Sequence, residues 1–183
     1  MGGDSLRTVA SIPDNGSMGS QGTRATEAAR RAGIAFTLHA YAHDPRAALR
    51  VGGHGYALEA VDALGMDAAR VFKTIVVTVD GRLGLAIVPS ASEVDLKAVA
   101  DAFEGRRAAI APAVDAARAT GYVLGGISPL GTRRPLPIAL DSSAVGFPSI
   151  LVSAGRRGLE IELAAADLLR VTGGLLAPVA RAG

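Results

Sequence analysis

The feature that most constrains this fold is a pair of apolar runs, residues 73–79 and 83–88, joined around Asp80-Gly81. An Asp-Gly dipeptide between two such runs is the strongest local signal of a β-hairpin, because both residues tolerate the positive φ angles of a tight turn. Both runs are apolar almost throughout, which predicts central strands covered on both faces. The rest of the chain therefore has to build layers on either side of this hairpin.

Helices and further strands are predicted before and after the hairpin. The expected helices are 23–31, 57–64, 95–103, 112–121 and 165–171, and the further strands are 35–41, 138–141, 149–153 and 159–163. Apolar residues at helical spacing mark the helices; Thr23 caps the first, and Gly121 and Gly173 follow the last two. This mixed order predicts an α+β fold, a single domain with a mixed, partly closed, barrel-like sheet of about six or seven strands surrounded by helices.

Length and composition allow one domain. Of the 183 residues, 49% are apolar, which is enough for a single core. Residues 1–22 are rich in Gly, Ser and Asp and are interpreted as a disordered extension, which leaves 23–183 as the domain. The absence of cysteine excludes disulfides, thiol nucleophiles and cysteine zinc sites, and it is consistent with a cytoplasmic protein. No apolar run approaches the roughly 18 residues of a membrane span, and no heptad pattern indicates an oligomer, so we expect a monomer away from the membrane.

Charge is balanced over the chain as a whole. The net charge of +2 is too small for general attraction to a polyanion, so any such site has to come from local clusters. The candidates are four arginine pairs, Arg30-Arg31, Arg106-Arg107, Arg133-Arg134 and Arg156-Arg157. Solvated surface charge is the simpler interpretation of each pair.

Several catalytic motifs are excluded or disfavoured. Neither lysine follows a glycine, which excludes a P-loop, and the dinucleotide fingerprint GxGxxG is missing. The segment 126–130 approaches the nucleophile elbow of serine hydrolases but has Leu130 where that turn requires glycine. His39 and His43 are four residues apart, yet a metal ion would need further ligands and only His54 remains among the histidines. We therefore expect structural histidines and no metal.

Lys73 and the run 120–131 are the candidate functional features. Lys73 is one of two lysines among nineteen basic residues, and it is the first residue of a predicted apolar strand. At that position its ammonium group either reaches water or holds an anionic or hydroxyl-bearing ligand. Four glycines and a proline in 120–131 favour either ligand contact with the main chain or tight packing. Glu160 and Glu162 resemble an acid–base couple. A simpler interpretation is that they alternate with apolar residues because they lie on the solvent-exposed, wet face of a strand.

Five motifs, taken together, point to one family. They are Tyr41-Ala42-His43-Asp44, Val71-Phe72-Lys73-Thr74, Asp95-Leu96-Lys97, the loop 120–131, and the stretch 155–163. In this order they resemble the YbaK family of aminoacyl-tRNA deacylases, relatives of the editing domain inserted in bacterial prolyl-tRNA synthetases. The resemblance covers residues 23–181. It implies removal of a wrong amino acid from tRNA in trans, in particular of Cys from Cys-tRNA(Pro).

The resemblance also implies site residues, partners and cofactors. The catalytic residue is Lys73, and the substrate-binding residues are Tyr41, Gly125, Gly126, Ile127, Ser128, Pro129, Ser153 and Glu160. The partners are the acceptor end of aminoacyl-tRNA and, as a candidate, prolyl-tRNA synthetase; no cofactor is implied. The family position of Glu160 also accepts Asp, and the segment 47–55 is longer and richer in glycine than expected, so the rim near Tyr41 departs from the family pattern.

Two questions about the reaction stay open. An aminoacyl ester is already activated, so positioning can replace a dedicated nucleophile. For a cysteinyl substrate the resemblance implies attack by the substrate's own thiol, and attack by water is the alternative. One methylene changes binding by only about 1–3 kcal/mol, so Ala or another small amino acid is an alternative substrate. A noncatalytic module that holds a tRNA end or a synthetase is the alternative from another class, with Tyr41, Tyr56 and the arginine pairs as its contacts.

Overall fold

A computed structural model of the protein describes residues 10–13, 22–46 and 55–183. The strands are β1 (Ala10–Pro13), β2 (Phe36–Ala40), β3 (Phe72–Val79), β4 (Arg82–Pro89), β5 (Ser92–Val94), β6 (Ala108–Ile110), β7 (Ile138–Asp141), β8 (Ile150–Arg156), β9 (Leu159–Leu163), β10 (Leu175–Ala177) and β11 (Ala180–Ala182). The helices are α1 (Arg24–Arg31), α2 (Gly55–Leu64), α3 (Leu96–Ala102), α4 (Ala113–Thr120) and α5 (Ala165–Thr172). The predicted α+β class is confirmed.

The predicted hairpin forms the centre of the fold. β3 and β4 pair antiparallel, and the turn residues Asp80 and Gly81 have φ angles of 48° and 80°. The Asp80 carboxylate accepts hydrogen bonds from the main-chain N–H groups of Arg106 and Arg107, at 2.8 and 3.1 Å. These bonds join the turn to the segment that leads into β6.

The predicted barrel-like closure is wrong. The described strands form three open sheets, in the orders β1-β2-β9-β8, β10-β7-β4-β3-β6 and β11-β5. A barrel requires a partner on both sides of every strand, whereas strands such as β6 and β10 stand at sheet edges. The strand number also exceeds the expected six or seven, because β1, β5, β6, β10 and β11 have only three or four residues each and carry no readable alternation.

The central sheet is covered on both faces, as predicted. One core cluster joins it to the four-stranded sheet and α1, and includes Phe72, Val76 and Ile161. The second cluster lies on the opposite face and includes Val77 and Val99, the latter from α3. Successive residues of β3 alternate between the two clusters, as strand geometry requires.

The predicted cap at Thr23 and the predicted glycine ends at 121 and 173 are confirmed, and Asp95 adds a cap that was not predicted. Thr23 caps α1, since its hydroxyl accepts a hydrogen bond from the N–H of Thr26 at 3.1 Å. Asp95 caps α3 through two main-chain N–H groups at 3.0 Å. Gly121 and Gly173 end α4 and α5 with φ angles of 73° and 63°, which L-residues with a Cβ rarely adopt. None of these helices in the described part of the chain has the length and apolar character that a membrane crossing requires.

The predicted N-terminal extension, residues 1–22, includes one described strand. β1 pairs antiparallel with β2, with Ala10 opposite Ala40 and Pro13 opposite Thr37. The edge of β2 offers main-chain hydrogen bonds that depend little on side-chain identity, which is why composition did not indicate this pairing. Residues 1–9 and 14–21 lie outside the described residues, as do 47–54 of the glycine-rich segment.

Candidate functional site

A cavity of about 540 Å³ opens beside the first half of β3 and is lined there by residues 71–76. β6 pairs only with Val77, Thr78 and Val79. The N–H of Ala111 adds one hydrogen bond to the carbonyl of Val76, at 2.9 Å. Between Val71, which forms an isolated bridge with Leu151, and Val76, no described strand pairs with this edge of β3. The cavity lies along this unpaired part of the edge.

Five of the predicted site residues line this one cavity. They are Lys73, Gly125, Ile127, Ser153 and Glu160. They come from β3, the glycine loop after α4, β8 and β9, which are far apart in the sequence. The lysine and the glycine loop, which the sequence presents as two separate features, thus lie on the walls of the same hollow.

Lys73 and its neighbour Thr74 lie on opposite faces of β3. The ammonium nitrogen of Lys73 donates to the carbonyl of Ser90 at 3.2 Å. The hydroxyl of Thr74 is buried, lines the cavity and has no hydrogen-bond partner among the described residues. Along a strand, the main-chain N–H and C=O groups of successive residues point to opposite edges. Thr74 is two residues before Val76, so its main-chain groups point to the same edge of β3 as the carbonyl of Val76, which is the edge that borders the cavity. Sequence reasoning missed Thr74, although its position next to Lys73 on an apolar strand was a signal.

Burial perturbs the two ionisable groups at the centre of the site. It lowers the pKa of Lys73 from 10.5 to about 8, although the negative charge of Glu93 opposes the change. It raises the pKa of Glu160 from 4.5 to about 8, although a hydrogen bond from Tyr41 opposes that change. Below pH 8 the cavity therefore contains a cationic lysine and a neutral carboxylic acid.

Tyr41 acts on Glu160 and is not one of the residues lining the cavity. Its hydroxyl donates to Glu160 Oε1 at 3.5 Å, the outer limit for a hydrogen bond. Its main-chain N–H donates to the carbonyl of Gly158 at 3.0 Å. Burial raises the pKa of Tyr41 well above its usual value, and the nearby Glu160 and Glu59 carboxyls add to that effect. Tyr41 therefore stays a hydrogen-bond donor.

The glycine loop divides into cavity-lining and packing residues. Gly125 has a φ of 81°, and a Cβ there would lie 2.7 Å from the ring of Tyr56. A Cβ at Gly126 would lie 3.0 Å from the main chain of Arg156. Ser128 is fully buried, and its hydroxyl accepts a hydrogen bond from the N–H of Leu130 at 3.2 Å. Leu124, Gly125 and Ile127 of this loop line the cavity, whereas Gly126, Ser128 and Pro129 do not.

Arg157 and Tyr56 support the loop from outside. The Arg157 guanidinium lies 5.0 Å from the centre of the Tyr56 ring, and its Nε donates to the carbonyl of Leu124 at 2.8 Å. Tyr56 also lines the cavity. One member of a predicted arginine pair therefore stabilises the wall of the cavity through a cation–π contact.

Glu93 and Arg181 form a second polar group on the cavity wall. They are register partners on β5 and β11, and Arg181 Nη2 lies 2.6 Å from Glu93 Oε2. Both residues line the cavity. Sequence reasoning missed them because each strand has three residues, which is too short for a pattern.

His39, His43 and Glu162 form interactions outside the cavity. His39 Nε2 is 2.7 Å from Glu162, and His43 Nδ1 is 3.0 Å from Glu59, so the histidines bind different carboxylates. Although burial raises the pKa of Glu162, hydrogen bonds from Ser149, His39 and Arg70 hold it below its ordinary value. The wet-face interpretation is wrong for Glu160, which is 7% exposed, and Glu160 lines the cavity whereas Glu162 does not.

Comparison with known proteins agrees with the motif resemblance. The model of the family described as the aminoacyl-tRNA editing domain matches residues 55–171. EbsC of Enterococcus faecalis, named as a candidate Cys-tRNA(Pro)/Cys-tRNA(Cys) deacylase, is 37% identical over 128 residues, which are 69% of this chain and 77% of EbsC.

Solved structures share the fold at lower identity. The crystal structure of the hypothetical protein APE2540 matches with a TM-score of 0.75 and 19% identity, over 87% of this chain and 100% of that one. A candidate trans-editing enzyme for prolyl-tRNA synthetase matches with a TM-score of 0.70 and 21% identity, over 90% and 99%. The match to the family model and the 37% identity to EbsC show that the chain belongs to the aminoacyl-tRNA editing domain family, as a member of the YbaK family of deacylases.

Proposed function

We propose that this protein is a trans-editing deacylase that removes Cys from Cys-tRNA(Pro) by cleaving the ester between the amino acid and the terminal ribose. The observation that carries the proposal is the cavity shared by Lys73 and the Gly125 loop. Its volume of about 540 Å³ is in the range of small-molecule pockets, so a terminal adenosine with a small amino acid can enter it. The candidate assignment of EbsC supports cysteine as that amino acid.

Attack on the ester carbonyl creates negative charge on its oxygen. The Lys73 ammonium and the Thr74 hydroxyl both line the cavity and are placed to donate to that oxygen. The buried Thr74 hydroxyl has no hydrogen-bond partner in the described part of the chain. Donors that are already in place need little reorganisation during the reaction. Lys73 therefore acts as an electrostatic catalyst rather than as a nucleophile.

The ribose oxygen needs a proton when it leaves. Glu160 is buried in the cavity wall and, with a pKa of about 8, carries a proton at neutral pH. Its carboxylic acid is the general acid for the leaving oxygen, with Tyr41 Oη 3.5 Å away as an orienting donor. Gly125 and Ile127 form the wall against which the aminoacyl group lies.

The attacking group is the thiol of the cysteinyl substrate. Its sulfur forms a bond to the carbonyl carbon, the bond between that carbon and the ribose oxygen breaks, and the products are a cyclic thiolactone and tRNA with a free hydroxyl. The thiol proton leaves to solvent, and Glu160 supplies the proton that the ribose oxygen takes up. This route requires positioning and charge but no enzyme nucleophile.

Release of labelled amino acid from Cys-tRNA(Pro), Ala-tRNA(Pro) and tRNA(Pro) charged with 2-aminobutyrate tests the proposal. 2-Aminobutyrate has nearly the shape of cysteine without the thiol, so thiol attack predicts rapid release of Cys alone. Release of 2-aminobutyrate at a comparable rate would establish water as the attacking group. Faster release of Ala would establish the small-residue alternative, and tight tRNA binding without release would establish the noncatalytic module.

Prolyl-tRNA synthetase is the proposed protein partner, and a monomer is the proposed state of the free protein. The name of the structural neighbour, a candidate trans-editing enzyme for that synthetase, supports the partner. Sedimentation velocity of the protein alone measures its oligomeric state. The same measurement with the synthetase, and with both synthetase and tRNA(Pro), measures complex formation. Self-association of the free protein would contradict the proposed monomer. No co-sedimentation with the synthetase, with or without tRNA(Pro), would contradict the proposed partner.

A further inference from the structure

We infer that Glu93 binds the α-ammonium group of the aminoacyl moiety and that Arg181 positions Glu93 for this contact. The inference rests on the proposed function, because the ammonium group belongs to an aminoacyl ester. It concerns a different part of the cavity from the one that carries out the ester chemistry.

The geometry of the Glu93–Arg181 pair leaves one carboxylate oxygen for a ligand. The two residues are direct partners in the antiparallel ladder of β5 and β11, where opposite side chains share a face. Arg181 Nη2 lies 2.6 Å from Glu93 Oε2. Glu93 Oε1 has no hydrogen bond with any residue that the structure describes. The side chains are 43% and 62% exposed, so a ligand in the cavity can reach them.

The charges in the cavity select Glu93 over Glu160 for this contact. Two carboxyl groups of the described residues line the cavity, and Glu160 is the buried one, with a pKa of about 8. Glu160 is therefore largely neutral at physiological pH, whereas Glu93 is held by a guanidinium. Lys73 and Arg181 are the cations that the described residues place on the wall. An α-ammonium group that entered beside them without a carboxylate would be repelled.

Arg181 lies outside the segment that the family model matches, residues 55–171. It is carried by β11, which reaches the site only because this last strand pairs with β5. The long arginine side chain fixes Oε2 of Glu93 and thereby restricts the position of Oε1. Arg181 is a positioning residue in this arrangement, and its effect on the ligand passes through Glu93.

Binding of two stable adenosine amides tests this inference without catalysis. Both have an acylamino group in place of the 3′-ester; one carries 2-aminobutyryl and the other butyryl, which lacks the ammonium group. Calorimetric titration of the wild type is expected to show a preference of roughly 10- to 100-fold for the ammonium-bearing amide. Glu93→Gln should abolish the preference, Arg181→Ala should reduce it, and the matched control Asp167→Asn should retain it. Asp167 makes a comparable ion pair with Arg170, at 3.0 Å, and does not line the cavity.

Thermal unfolding of each variant shows whether it is folded, and the remaining outcomes are distinguishable. Equal binding of the two amides by the wild type, or a preference that survives Glu93→Gln, would overturn the inference while leaving the proposed deacylation intact. So would failure to bind either amide by a protein that still deacylates Cys-tRNA(Pro). If Arg181→Ala weakens both amides equally, and more so when they carry a 5′-phosphate, Arg181 is a phosphate contact and the inference is overturned. If the wild type neither binds the amides nor deacylates Cys-tRNA(Pro), the proposed function is overturned as well.

Discussion

Lys73 and Glu160 line the same cavity, and burial moves the pKa of each to about 8, downward for the lysine and upward for the glutamate. Both groups therefore carry their proton at neutral pH and lose it over the same pH range. Across that range the pair changes from a net positive to a net negative charge. The opposite displacements have one physical cause, since burial disfavours the charged form of either group.

Deacylation should decline above pH 8 because Lys73 and Glu160 both act in their protonated forms. The logarithm of kcat/KM, measured from pH 6 to 10 and corrected for spontaneous ester hydrolysis, should fall with a slope approaching −2. Glu160→Gln removes the general acid, so its activity should be much lower, and the activity that remains should fall with a slope of −1 that reports Lys73 alone. A rate that rises steadily to pH 10 after correction would contradict both assignments.

Lys73→Met should remove activity and stabilise the fold. The substitution keeps the length of the side chain but removes the charge, and we expect kcat/KM to fall at least about 100-fold. The folded-state pKa of Lys73 lies below its unfolded value, so its charged form is disfavoured in the folded protein at neutral pH. Because Lys73 is only partly buried, the expected gain in unfolding free energy is modest, about 1 kcal/mol. Lys97→Met, at the exposed second lysine, is the control that should change neither quantity.

Glu160→Gln should change how stability depends on pH. The pKa of Glu160 is raised on folding, so the folded state binds more protons between about pH 4.5 and 8. Its contribution to stability is therefore fully present below its unfolded pKa and is lost as the pH rises through 8. Urea unfolding at several pH values should show this loss in the wild type and in Glu27→Gln, an exposed control, and a smaller loss in Glu160→Gln. Parallel curves for all three proteins would contradict the burial of Glu160.

Gly125→Ala should destabilise the protein more than Gly173→Ala. Both glycines have positive φ angles, but a Cβ at Gly173 meets open space whereas one at Gly125 lies 2.7 Å from the Tyr56 ring. Gly173→Ala is expected to cost about 1–2 kcal/mol for the backbone conformation alone. The overlap with Tyr56 should add about 1–3 kcal/mol and reduce kcat/KM.

A double-mutant cycle with Tyr56→Ala isolates that overlap. If the ring is the obstacle, Gly125→Ala should cost less in the Tyr56→Ala background, with a coupling of about 1 kcal/mol or more. Additive costs would show that the ring is not what requires glycine at this position.

Local sequence was sufficient for most of the secondary structure. The turn at Asp80-Gly81, the cap at Thr23 and the left-handed ends at Gly121 and Gly173 all form where predicted, because each depends on a few neighbouring residues. The three-residue strands could not be predicted. β5, β6, β10 and β11 exist because a neighbouring strand offers hydrogen bonds, and three residues show no periodicity of their own.

The candidate site was predictable only in part. Motif order identified Lys73 and the loop that contains Gly125, and the structure brings both to one cavity. Thr74, Glu93 and Arg181 were not predicted. Their place on the wall depends on where the pairing of β6 ends and on a contact between the middle and the end of the chain.

The sequence by itself determined the hairpin, the helix boundaries and the set of residues that resemble the family. Only the tertiary structure decided that no described strand pairs with the edge of β3 between Phe72 and Ile75, and that Glu160 is buried rather than on a wet face. The reason is that turns and caps depend on interactions within a few residues, whereas an open strand edge and the desolvation of a carboxyl group depend on every element packed around them.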